Sequence, residues 1–193
     1  MARLILIRHG ESVANAARRF TWGSGEPLSR RGREEALAAG RLLLERFDPV
    51  ALFSSPYVRA LETARLIGRV LGLDPSVVEA LREQDFGAMR GRPYAELPGR
   101  EPNLGAALWR LRPPGGETLE EVARRAGPAL DEIAERHLGE QVVVVSHGGV
   151  MAALRAWAAG GFDQAPVVSA NAAGYVIARR CGRYLGPFGL DAG

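Results

Sequence analysis

The chain contains no lysine, so all 25 of its basic residues are arginine. A net charge of +3 and a pI near 9.6 make it formally basic. A nucleic-acid binder would need those cations gathered in a stripe with interleaved aromatics. Here they alternate with acids, as in Arg31-Gly32-Arg33-Glu34-Glu35, which is the pattern of solvated helix faces. The missing lysine, beside abundant Ala, Gly, Leu and Arg, reads as coding bias and carries no functional weight. A single cysteine, Cys181, excludes an internal disulfide and a zinc-type cluster, which fits a reducing compartment, and the residue reads as a small apolar strand position. No apolar stretch approaches the ~20 residues of a membrane span, and Arg8 interrupts the N-terminal run too early for a signal peptide. These absences lead to the expectation of a cytoplasmic protein without nucleic-acid or membrane partners. No internal repeat or low-complexity segment is present.

What the chain does have is enough material for one core. Its 193 residues suit a single domain over 1–193, 47% are hydrophobic, and the 24% charged fraction is ordinary for a folded protein. Two short aliphatic runs stand out, Leu4-Ile5-Leu6-Ile7 and Val142-Val143-Val144-Val145. Each reads as a buried strand of a parallel sheet, and each is followed by a histidine and a glycine: Arg8-His9-Gly10 and Ser146-His147-Gly148-Gly149. In open α/β sheets ligands bind outside the carboxyl ends of the strands, so the pattern predicts that two distant segments meet at one site.

The rest of the chain alternates in the same way. A short Ala-rich helix beginning near Gly10 and a loop over 20–28 lead to a helix over 29–46 capped by Ser29. Val50 to Phe53 reads as a strand. Ser54-Ser55-Pro56 reads as a helix start, with proline at the first helical position and serine capping, and the helix stops at Gly72. A strand-like pair, Val77-Val78, follows. The segment 88–116, rich in Gly, Pro and Arg, with a short helical pattern over 104–111, reads as a lid or substrate-facing insertion. Thr118-Leu119-Glu120-Glu121 has capping-box spacing and opens a helix kinked at Pro128. A helix over 150–159 and two final strands, near 175–178 and 183–185, complete an α/β chain: a single-domain three-layer α/β/α sandwich with a mostly parallel central sheet.

The strand ends then present Arg8, His9, Arg59 and His147 together, since a first-turn helical side chain such as Arg59 leans back over the preceding strand end. Two guanidinium groups grip a tetrahedral dianion through paired donors, and free N–H groups at Gly10 and Gly148 add to the anion site. Two histidines with a carboxylate also make a possible metal triad, but neighbouring arginines raise the cost of a divalent cation. His137, late on a polar helix, reads as a surface residue.

These motifs resemble the histidine phosphatase superfamily, the group that includes cofactor-dependent phosphoglycerate mutases and related phosphatases. The likeness covers most of the chain: Leu6-Ile7-Arg8-His9-Gly10-Glu11-Ser12 with Asn15, Pro27-Leu28-Ser29 with Gly32, and Ser54-Ser55-Pro56 with Arg59-Ala60 and Thr63-Ala64. It continues in Leu81 with Glu83 and Phe86-Gly87, in Gly115-Gly116-Glu117-Thr118, and in Ser146-His147-Gly148-Gly149. The resemblance implies a phosphoglycerate mutase-like fold and His9 as the nucleophile that takes up the phosphoryl group. Arg8, Arg59 and His147 would hold phosphoryl oxygens, and Glu83 would donate a proton to the leaving oxygen and later accept one from water.

Several residues keep two readings. Asn15 either supports the phosphate pocket or belongs to a helix surface, and Glu117 either faces the site or serves a helix N-terminus. Trp22, Tyr94 and Trp109 either line the leaving-group pocket or pack. Where the family often has an aromatic, an acid and Gly after Phe86-Gly87, this chain has Met89-Arg90-Gly91, so Arg90 either favours an acidic substrate or sits on the surface. The expected activity is a metal- and cofactor-independent phosphomonoesterase acting on small phosphorylated metabolites. The alternatives are a phosphoglycerate mutase, usually longer between the positions of Gly87 and Gly116, and a specific phosphatase such as one for α-ribazole phosphate. A homo-oligomer is compatible with the sequence.

Overall fold

A computed structural model describes residues 1–96 and 105–190. Within them a six-stranded sheet is built from β1 (Ala2–Arg8), β2 (Pro49–Ser54), β3 (Pro75–Val77), β4 (Gln141–Ser146), β5 (Gly174–Arg180) and β6 (Arg183–Gly189), in the order β3-β2-β4-β1-β5-β6. The first four run parallel, while β5 is antiparallel to β1 and β6 to β5. The helices are α1 (Val13–Ala16), α2 (Arg30–Arg46), α3 (Val58–Leu71), α4 (Leu119–Arg136) and α5 (Gly148–Ala159).

Period-two alternation assigns each strand residue to a face. Leu4, Leu6, Val142 and Val144 enter the core under α4 and α5, whereas Ile5, Ile7, Val143 and Val145 enter the core under α2 and α3. Both faces of β1 and β4 are therefore covered, which is why these runs are continuously aliphatic. The result is a three-layer α/β/α single domain. No helix among the described residues is long and apolar enough to cross a membrane.

Three helix starts differ from the sequence expectation. The first helix begins at Val13 rather than near Gly10, with a capping box between Ser12 and Asn15. The reason is that Gly10 and Glu11 direct their N–H groups out to Thr63 Oγ1 and the Glu35 carboxylate. Helix α3 begins at Val58, after Pro56, and receives no side-chain cap. The Ser55 hydroxyl that was expected to cap it is taken up by His147 at 2.7 Å. Helix α5 begins at Gly148, two residues earlier than expected, with His147 at its N-cap. Helix α4 continues through Pro128 to Arg136.

In the segment 88–116, short 3₁₀ turns cover Tyr94–Glu96 and Gly105–Arg110, and positions 97–104 lie outside the described residues. Its backbone is stitched to the chain after α1: Phe20 donates to the carbonyl of Arg92, and Gly91 to that of Phe20. Met89 and Trp109 are buried.

Candidate active site

Sheet register brings the two histidines together. Arg8 on β1 lies opposite Ser146 on β4, so the next residues of both strands, His9 and His147, emerge side by side. The His9 N–H donates to the Ser146 carbonyl at 2.9 Å, and the two rings meet edge-on with centroids 5.2 Å apart. On the other side of β4, Ser55 follows β2 and its N–H donates to the Val145 carbonyl. Ser55, His147 and His9 thus stand in a row along one edge of the sheet.

His9 is buried with its Nδ1 2.7 Å from the Gly10 carbonyl oxygen, an acceptor only. Nδ1 therefore carries the proton and Nε2 carries the lone pair. Arg59 Nε donates to that Nε2 at 3.2 Å. Burial pushes the His9 pKa well below its ordinary value, helped by the Arg59 and Arg8 charges and opposed by the Gly10 bond. A neutral ring with a free Nε2 is the form that can act as a nucleophile.

The loop that holds Gly10 depends on a close approach to α2. A Cβ added to Gly32 would meet the Glu11 carbonyl oxygen at 2.0 Å, and one added to Gly10 would meet the Gly32 carbonyl oxygen at 2.2 Å. Backbone therefore packs on backbone immediately behind the histidine.

Glu83 follows a 3₁₀ turn over Glu79–Leu81, and a network fixes the segment. Ser146 Oγ donates to the Leu81 carbonyl, and Arg125 on α4 donates to the carbonyls of Ala80 and Glu83. The Glu83 carboxyl stands 3.8 Å from Arg59 Nη2 and 3.6 Å from His147 Nδ1. Burial raises its pKa above the ordinary carboxylate value against the opposing pull of Arg59 and the Gln84 N–H. His147 is shifted the other way, down, first by burial and then by Arg59, His9 and Arg8.

The cavity over these groups has a volume of about 510 Å³. Arg8, His9, Arg59, Glu83 and Gly148 line it, and Arg8 Nη1 is anchored on the Ser169 carbonyl at 2.7 Å. At this site, Arg8 Nε and His147 Nδ1 are buried and have no hydrogen-bond partner among the described residues. Gly148 lets Arg8 come close, since a Cβ there would lie 3.3 Å from its guanidinium. The donor atoms of His9, Glu83 and His147 lie within 4.8 Å of one another, a set that could hold a metal ion. Arg59 contacts two of the three, so a divalent cation would have to sit against a guanidinium, whereas an anion would be held by it.

Of the other predicted residues, Asn15 lines the cavity as a brace: its Nδ2 donates to Tyr94 Oη at 2.8 Å and its Oδ1 accepts from Asn171 Nδ2 at 3.0 Å. Tyr94 also lines it, stacked edge-on to Phe20. Glu117 does not reach the cavity, which corrects the reading of it as a substrate contact. Its carboxylate is taken up by Arg125, Arg82 and the Asp85 N–H behind the Glu83 segment. Trp22 is largely exposed against Gly91, and Trp109 is buried with its Nε1–H on the Gln164 carbonyl, so neither lines the pocket. Arg90 is paired with Asp85 at 2.8 Å and lines an adjoining cavity of about 480 Å³ that shares Thr21, Gln84 and Phe86 with the first.

The sequence reading did not single out Phe20, Thr21, Gln84, Val168 or Asn171 as part of the wall. For Val168 and Asn171 the topology holds a signal. Because β5 is antiparallel to β1, the loop leading into it arrives at the edge where β1 ends.

The sequence profile of the histidine phosphatase superfamily (branch 1) matches residues 4–183. The chain belongs to that family. Among relatives, a metal-independent phosphoserine phosphatase of Arabidopsis thaliana is 35% identical over 161 residues, 80% of this chain and 67% of the relative. A bifunctional protein of Mycobacterium tuberculosis is 39% identical over 149 residues, 75% of this chain, and this match spans only 41% of its length. Among solved structures, mycobacterial glucosyl-3-phosphoglycerate phosphatase in complex with VO3 superposes with a TM-score of 0.84 at 30% identity, covering 97% of this chain and 98% of the other. As a histidine phosphatase, the chain is an enzyme of the phosphatase and mutase group, with a phosphoglycerate mutase-like fold.

Proposed function

We propose that this histidine phosphatase is a metal-independent phosphomonoesterase that works through a phosphohistidine on His9. The observation that carries the reading is the state of that ring: Nδ1 is committed to the Gly10 carbonyl, and Nε2 is an unprotonated lone pair in contact with Arg59. Nε2 attacks phosphorus and the P–O ester bond breaks. Glu83, whose pKa burial raises above the ordinary carboxylate value, acts as the acid and gives its proton to the leaving oxygen. Water then attacks phosphorus as the Glu83 carboxylate takes its proton, the P–N bond breaks with the electron pair returning to His9 Nε2, and inorganic phosphate departs. Arg8, Arg59, His147 and the Gly148 N–H at the start of α5 bind the phosphoryl oxygens throughout.

The leaving group extends toward Phe20, Phe86, Tyr94 and Asn15, so the 88–116 segment contributes wall through Tyr94. Phosphoserine and glucosyl-3-phosphoglycerate, named in the two relatives, are small phosphorylated metabolites, which supports the same class here. The test is a panel of phosphomonoesters assayed with and without chelator, combined with quenching in alkaline detergent to find an alkali-stable, acid-labile phosphorylated protein. Phosphate release unaffected by chelator, with label on His9 that is lost in His9→Ala, supports the reading. Isomerisation of a phosphoglycerate with little phosphate release moves the protein to the mutase side, and turnover that survives His9→Ala overturns the covalent path.

A further inference from the structure

Ser55 is fully buried and its hydroxyl makes two contacts. Its Oγ lies 2.7 Å from His147 Nε2 and accepts weakly from the Tyr57 N–H at 3.3 Å. A neutral imidazole has one donor nitrogen and one acceptor, so the 2.7 Å bond can be arranged in two ways. If His147 Nε2–H donated to Ser55, the buried serine proton would have no acceptor among the described residues. If instead the serine O–H donates to Nε2, every proton is satisfied on the Ser55 side, and His147 Nδ1 becomes an N–H donor.

That nitrogen is buried and has no hydrogen-bond partner among the described residues. A ring carrying a single proton can serve an anion only if the proton is on the nitrogen that faces it. Sheet order makes the arrangement possible, because β2 is the neighbour of β4 and Ser55 follows β2 as His147 follows β4. The serine is thus delivered to the Nε2 side of the ring, while Nδ1 stands 3.6 Å from Glu83 Oε2, and Glu83 is part of the cavity wall.

We propose that Ser55 is a positioning residue for His147, its hydroxyl fixing the Nδ1–H tautomer so that the neutral ring donates a hydrogen bond to a phosphoryl oxygen. The inference rests on the phosphoryl-transfer reading for what the donor serves, but the tautomer itself can be observed without turnover. Long-range ¹H–¹⁵N correlation spectra of the wild-type protein distinguish protonated from unprotonated ring nitrogens. The expected spectrum has His147 protonated at Nδ1 and bare at Nε2, alone and with inorganic phosphate or vanadate bound. Protonation at Nε2 overturns the inference even if no variant can be made.

Ser55→Ala supplies the second arm. It is expected to weaken competitive binding of inorganic phosphate about tenfold and to lower kcat/KM roughly tenfold to a hundredfold, with His147 losing its single tautomer. Ser55→Thr, which keeps the hydroxyl, is expected to restore the tautomer and most of the phosphate affinity. A serine that merely fills space would leave tautomer and phosphate affinity unchanged in Ser55→Ala, and that result refutes the proposal. If the protein releases phosphate from no ester at all, the phosphomonoesterase reading fails, while the spectrum and the phosphate titration still decide the role of Ser55.

Discussion

Arg59 Nε donates to His9 Nε2 at 3.2 Å, so the guanidinium occupies the lone pair that attacks phosphorus in the proposed reaction. The same group reaches Glu83, 3.8 Å from its Nη2, and Nη1 is held by the Gly23 carbonyl at 3.3 Å. One fork therefore spans the proposed nucleophile and the proposed acid, and in that reading binding of a phosphoryl group requires Nε–H to exchange His9 for a phosphoryl oxygen. A lysine cannot reproduce that fork. Arg59→Lys is expected to lower kcat/KM by roughly 10²–10³-fold, the scale found when one transition-state donor is removed. Steady-state kinetics on any turned-over ester check it.

Arg59 also sets a pH limit. Burial is the larger cause of the depressed His9 pKa and the Arg59 charge the next. Removing the charge in Arg59→Ala raises that pKa, and the protonated ring, which cannot attack, then persists to higher pH. The acid limb of the kcat/KM profile is expected to move upward while staying below the ordinary histidine range, because burial remains. An acid limb that stays in place would separate it from His9.

Glu83 predicts the opposite limb. Its pKa is raised by burial, so the acid form needed to protonate a leaving oxygen is lost as pH rises through that elevated value. The alkaline limb should appear with alkyl phosphates, whose alkoxides need the proton, and flatten with p-nitrophenyl phosphate, whose phenolate leaves unaided. Glu83→Gln is expected to cost about 10²–10⁴-fold with the alkyl esters and much less on p-nitrophenyl phosphate at the phosphorylation step, which single-turnover measurements isolate.

How far these residues could be read in advance depended on whether topology or packing decides them. Arg8, His9 and His147 sit at the ends of aliphatic runs, where period-two burial and the strand-end rule place them without any tertiary detail. Their mutual register follows from β1 and β4 being neighbours. Ser55 reads locally as a helix cap, because two serines before proline is the motif of a helix start. Only the order of strands puts a histidine within reach of its hydroxyl. Glu117 was ambiguous for a similar reason, since a glutamate before a capping box carries no sign of the three donors that the 82–85 and 125 positions bring to it.

Gly32 gives a structural prediction away from the chemistry. The Cβ of Gly32→Ala would lie 2.0 Å from the Glu11 carbonyl oxygen, a backbone atom that cannot rotate aside. Overpacking of this kind typically costs about 1–3 kcal/mol. The Gly10–Glu11 loop must shift to relieve it, and with it the carbonyl that holds His9 Nδ1. A lower denaturation midpoint together with a lower kcat is expected; a loss of stability with unchanged kcat would show that the loop accommodates the methyl without moving the ring.

Glu117 and Glu83 offer the sharpest test of how the acid is held. Burial would raise the Glu117 pKa, but bonds from Arg125 and the Asp85 N–H hold it below the ordinary value, so it is a carboxylate bound by donors at neutral pH. Arg125 bridges it to the Ala80 and Glu83 carbonyls, which makes the pair a clamp on the backbone that carries Glu83. Glu117→Ala frees Arg125 and loosens that clamp, and it is expected to lower kcat on alkyl phosphates by about tenfold while KM changes little. If the loss passes through Glu83, adding Glu117→Ala to Glu83→Gln should cost almost nothing further, because the acid whose position mattered is already gone. Additive losses in that cycle would assign Glu117 an effect on turnover that bypasses Glu83, against a carboxylate whose contacts all lie behind the cavity wall.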